Sequence, residues 1–95
     1  MKLSPTNQKF KSILDDMLAL RIKKDADYKG SWRRHGKVGV AIRMSDKMQR
    51  LEKMLIDPVM NKFDAGPQVN EKIGDTAIDM AVYAVLLIIL LGEEK

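Results

Sequence analysis

Apolar residues recur at helical spacing in three stretches of this chain. Phe10, Ile13, Leu14, Met17 and Leu18 fall at i, i+3, i+4, i+7 and i+8, which places them on one helix face. Ser4 followed by Pro5 supplies an N-cap and a first-turn proline, so this helix is expected from residue 5 to about residue 27. Ala41, Met44, Met48, Leu51 and Leu55 make a second stripe. That helix is expected to end at Ile56, because Asp57-Pro58 disfavours further helix. A third helix is expected after Gly66-Pro67, from about Val69 to Leu91, with Gly92 as the stop signal. Gly74 sits inside it at a cost of about 1 kcal/mol relative to Ala. Residues 29–37 and 57–67 break the periodicity, the second as a plain connecting loop. Lys37 to Ile42 offers a strand-like run, but it flows into the second helix. The pattern predicts an all-α protomer of three helices, one domain over residues 1–95.

The third helix carries the most information. Glu71, Asp75 and Asp79 are one turn apart and form a single carboxylate stripe, continued by Val82, Leu86 and Ile89. Beyond Asp79 the helix is apolar all round and must be covered on every side. A chain of 95 residues has little surface with which to cover it, so a second copy is expected. Carboxylates one and two turns apart suit a hard cation such as Mg²⁺. The plain structural alternative is salt bridging to the basic second helix, where Arg43, Asp46, Lys47, Arg50 and Lys53 follow at spacings of three and four. Seven methionines suit adaptable helix packing, with Met17, Met44, Met48, Met54 and Met80 expected in the core.

Composition narrows the chemistry. There is no Cys and one His, which removes disulfides, thiol nucleophiles and the usual zinc sites. His35 reads as a surface loop residue. No apolar leader follows Met1. The apolar run Met80 to Leu91 has twelve residues, short of the roughly 20 that span a bilayer. The third helix is therefore expected to be buried in a soluble, cytoplasmic protein with no membrane partner.

The net charge of +4 hides a gradient: +1 over residues 1–20, +7 over 21–53 and −4 over 54–95. A basic middle attracts phosphate, in nucleotides or in nucleic acid. Within it, Trp32 can stack on a base while Arg33 and Arg34 fork onto phosphate oxygens. The alternative is that Trp32 caps the end of the bundle and the arginines are merely solvated.

Four stretches together resemble a known family. They are Lys24-Asp25-Ala26-Asp27-Tyr28-Lys29-Gly30-Ser31-Trp32, Arg43-Met44-Ser45-Asp46-Lys47-Met48-Gln49-Arg50-Leu51, Glu71-Lys72-Ile73-Gly74-Asp75 and Thr76-Ala77-Ile78-Asp79-Met80-Ala81-Val82-Tyr83-Ala84. In combination they resemble the nucleotide-modification-associated domain of phages and bacteria, itself similar to the MazG-like all-α nucleoside triphosphate pyrophosphohydrolases. The likeness runs over roughly residues 10–92. It implies a dimeric or tetrameric helical bundle that cleaves a (deoxy)nucleoside triphosphate to monophosphate and pyrophosphate. Mg²⁺, or Mn²⁺, would be held by helix carboxylates. In host or bacterium, such a protein would act in the cytoplasm.

Carried onto this chain, the likeness makes Asp46, Asp75 and Asp79 the catalytic metal-holding set, with Glu71 a further metal candidate. Lys24, Lys47, Arg50, Arg33 and Arg34 would hold phosphates, and Tyr28 and Trp32 the base. Asp79 matches the final Asp of the superfamily's Glu-x-x-Asp, whereas Thr76 stands where its Glu would be, with Asp75 one position earlier. Three residues after Asp46 stands Gln49 rather than a carboxylate. The alternative to an enzyme is a non-catalytic helical oligomer that binds nucleotides or nucleic acid through the basic middle.

Overall fold

The computed structural model describes residues 2–28, 30–56 and 66–94. It contains three α-helices, α1 (Pro5–Tyr28), α2 (Gly36–Leu55) and α3 (Gly66–Glu93), with a 3-10 turn at Ser31–Arg33 before α2. No strand occurs among the described residues, as the periodicity predicts. Residues 57–65 of the expected connecting loop lie outside the described residues. The chain divides into two compact units, Met1–Ser31 and Trp32–Lys95.

The first unit is a single helix of 24 residues built by local interactions. The Asn7 N–H donates to Ser4 Oγ at 3.1 Å, and the Gln8 N–H donates to the Ser4 carbonyl at 2.8 Å. Ser4 is therefore the N-cap, and Pro5 occupies the first turn, where its missing N–H costs nothing. Two i,i+4 ion pairs follow, Lys11–Asp15 at 2.8 Å and Arg21–Asp25 at 3.2 Å. The hydrogen bond from Lys11 to Asp15 pushes the Lys11 pKa up. The apolar stripe is in place but largely exposed: Phe10, Ile13, Leu14 and Leu18 all face outward, and only Met17 is half-buried.

The second unit is an antiparallel hairpin in which α2 packs along α3. Its register follows from cross-helix pairs: Arg33 meets Glu93, Arg43 meets Tyr83, and Lys47 meets Asp79. Val40 (0% exposed) and Leu86 (5%) form the core, together with Thr76. The Thr76 hydroxyl donates to the Lys72 carbonyl at 2.8 Å, so its buried oxygen is satisfied within α3. Two glycines in left-handed conformation frame the entry to α2, Gly30 (φ +77°) and Gly36 (φ +59°). Gly39 is required for a different reason, since a Cβ there would lie 2.5 Å from His35 Cβ. Gly74 has open space around it, so no close approach among the described residues explains its presence.

The face of α2 turned to α3 differs from the expected one. Glycines apart, Val40, Met44, Lys47, Leu51 and Met54 are its buried and half-buried residues, while Ala41, Met48 and Leu55 are exposed. On a wheel of about 100° per residue this rotates the stripe by roughly 60° from the one read in the sequence. The reason is Lys47. Its stem lies against the interface while its ammonium reaches Asp79, so a charged residue fills an interior position that apolar periodicity alone assigns to its neighbours.

The third helix is not buried by the hairpin. Its segment Glu71–Glu93 is long and apolar enough, by length and composition, to cross a membrane, and only 11% of that window is buried. The apolar segment is thus longer than the twelve-residue run, and within one chain it is not the buried helix expected. Helix α3 has 28 residues, and the twelve-residue run is only its most apolar part. The charges weigh against insertion. Asp75 and Asp79 both lie within the segment. The uncharged stretch after Asp79, Met80 to Gly92, measures about 20 Å at 1.5 Å per residue, against a hydrocarbon core of about 30 Å.

Candidate functional site

One flank of the hairpin is a ladder of α2 cations and α3 acceptors. Midway, Lys47 Nζ lies 3.4 Å from Asp79 Oδ2, with the two side chains 23% and 36% exposed. One turn along, Arg43 Nη1 donates to the Tyr83 hydroxyl at 3.4 Å, its guanidinium carbon 6.0 Å from the Tyr83 ring centre. The cause is the register: residues four apart on each helix fall opposite residues four apart on the other. Thus the salt-bridged arrangement weighed from the sequence is present at Asp79.

At the mouth of the hairpin stand two further ion pairs. Arg33 places both terminal nitrogens on the two oxygens of Glu93, one bond measuring 2.9 Å. Lys37 Nζ reaches Glu94 at 2.9 Å. The Arg33 guanidinium also lies 4.5 Å from the centre of the half-buried Trp32 ring. The hydrogen bond from Arg33 holds the Glu93 carboxyl below its ordinary pKa. The sequence reading missed Lys37, Glu93 and Glu94. Their signal was the acidic pair closing an otherwise apolar helix while a basic loop opened the preceding one.

The remaining candidates are distributed as follows. Asp46, Arg50 and Arg34 are exposed in the second unit, as are Glu71 and Asp75 on α3. Lys24 is exposed on α1, in the first unit, and the Tyr28 side chain lies outside the described residues. Among the described residues no three Asp, Glu, His or Cys side chains gather closely enough to hold one metal ion. Thr76, at the position of the resembled carboxylate, is a packing residue. Chemically, the seam offers fixed cations beside carboxylates on a partly shielded surface, an arrangement that recognises a multiply charged anion.

No protein-family profile, curated protein or solved structure matches this chain.

Proposed function

We propose that this chain is the protomer of a cytoplasmic homo-oligomer, a dimer or tetramer, that hydrolyses a (deoxy)nucleoside triphosphate to the monophosphate and pyrophosphate. The observation that carries this reading is the seam of half-buried Asp79, Lys47 and Tyr83 with exposed Arg43, where cations and a carboxylate stand side by side on adjoining helices. It falls within the motifs that resemble the MazG-like pyrophosphohydrolases. In this reading Lys47 and Arg50 hold phosphate oxygens and Trp32 stacks on the base, with Arg34 as a further phosphate contact. Exposed Val85, Ile88 and Leu91 on α3 support association through that helix.

Mg²⁺, or Mn²⁺ in its place, belongs to the proposal through the carboxylates Asp46, Glu71, Asp75 and Asp79. Their oxygens suit a hard cation, yet the described residues of one protomer do not gather three of them. In the oligomer proposed here, carboxylates of a second copy would complete the donor set. When bound, the ion would neutralise phosphate charge and activate water.

The Lys47–Asp79 contact itself favours a second reading, a nucleotide- or nucleic-acid-binding oligomer without turnover, because this carboxylate already has a cation partner. The two separate in one assay. Incubation with a panel of dNTPs, in Mg²⁺ and in EDTA, yields metal-dependent pyrophosphate from at least one of them if the enzyme reading holds. Saturable nucleotide binding without pyrophosphate would establish the second reading. Binding to any nucleic acid that weakens steeply with salt would mark phosphate-backbone recognition.

A further inference from the structure

We propose that Arg33 and Lys37 form an oxyanion site for a diphosphate group, and that Glu93 and Glu94 are its built-in competitors, displaced when the anion binds. The inference rests on the nucleotide-phosphate reading above and adds to it a site residue, Lys37, and a means of regulation. Arg33 closes the 3-10 turn before α2, and Lys37 is the second residue of that helix. The glycines framing this entry hold left-handed conformations that few other residues adopt. Helix α2 has no acidic residue in its first turn, and His35 at its N-cap makes no side-chain capping bond. The positive end of the helix thus adds to two cations.

The carboxylates answer that field from an unfavourable place. Glu93 and Glu94 close α3, whose last turn holds no basic residue, so they face the negative end of their own helix. Cross-helix pairing is what compensates them. The Glu93 carboxylate presents two oxygens to the two terminal nitrogens of Arg33, the same fork that a phosphoryl group presents. Trp32 lies against the guanidinium and fixes its plane. Both ion pairs are about half exposed, so an incoming anion can reach them, and each is weak enough to exchange. A diphosphate carries more charge than two carboxylates, and in this proposal it takes the place of both.

Trp32 is the only tryptophan, so its fluorescence reports this site alone. The full chain is titrated with inorganic pyrophosphate at low salt in EDTA. Wild type should show a saturable change. Glu93→Gln/Glu94→Gln should bind about fivefold more tightly, since two surface pairs no longer compete. Glu94→Gln alone should fall between them, and Arg33→Gln/Lys37→Gln should lose the response. Far-UV circular dichroism verifies that each variant keeps its helices. An unchanged or weaker affinity in the double Gln variant overturns the proposal, as that is the behaviour of a purely structural staple. So does the lack of any saturable response in both proteins. Tighter pyrophosphate binding without dNTP turnover would support the competitor site while removing the hydrolase reading.

Discussion

Helix α1 and the α2–α3 hairpin carry apolar stripes of similar quality, yet they are held by different forces. In α1 the named interactions are local: the Ser4 cap and two i,i+4 ion pairs. Each such contact is individually weak, and the exposed ion pairs are screened by solvent. In the hairpin, residues about 40 to 60 positions apart meet, and Val40 and Leu86 leave water almost completely. Periodicity fixes which residues share a face. It does not say what that face meets, and the stripe of α1 remains exposed where that of α2 finds α3.

The sharpest way to break the comparison is to truncate one leucine in each region. Leu86→Ala should cost about 2–4 kcal/mol in urea unfolding, from lost burial and the cavity left behind. Leu18, 60% exposed, should cost less than about 1 kcal/mol on the same change. Equal losses would show that the Leu18 face of α1 is covered in solution.

Two glycines give the next contrast. Gly39→Ala drives a methyl group into His35 and should destabilise by about 1–3 kcal/mol. Gly74→Ala meets nothing and should stabilise by up to about 1 kcal/mol through helix propensity. A destabilised Gly74→Ala would reveal a neighbour packed there by association. Thermal melts measure both.

Asp79→Asn removes the partner of Lys47. At this partial exposure the loss should be about 1 kcal/mol or less, visible as a small fall in melting temperature in EDTA. A rise would mean that Asp79 is a repelled carboxylate awaiting a metal. Melting temperature in Mg²⁺ adds a second axis. Protection of the wild type but not of Asp79→Asn would make Asp79 a ligand.

The smallest effect concerns pH. The folded pKa of Glu93 is lowered by Arg33, so the contribution of the clamp is present above the ordinary Glu range and is lost as pH falls through the lowered value. An NMR titration should place the Glu93 carboxyl below an ordinary glutamate, and Arg33→Gln should return it upward. An unmoved midpoint would show that the pair does not persist in solution.

Helix existence and most boundaries were legible in the sequence because caps and breakers are local. Ser4-Pro5 opens α1, and α2 ends one residue before the expected Ile56. Helix α3 extends further at both ends, from Gly66 through Gly92 to Glu93. Proline is tolerated in a first turn and glycine in a last one. The seam was half legible. The spacing of Glu71, Asp75 and Asp79 and the basic second helix announced opposed charges. Which cation met which acid depended on a register that no local signal encodes. Lys47 was the consequential case, because a lysine inside an apolar stripe is invisible until its carboxylate stands opposite. The mouth pairs, Arg33–Glu93 and Lys37–Glu94, join chain segments about 60 residues apart and needed the antiparallel hairpin to appear.

The most direct test of the central claim is the identity of the products. Phosphorus NMR of a dNTP incubated with the protein and Mg²⁺ should show the monophosphate and inorganic pyrophosphate appearing in equal amounts, and neither in EDTA. Orthophosphate with the diphosphate, or a triphosphate left intact across all bases, would contradict the account.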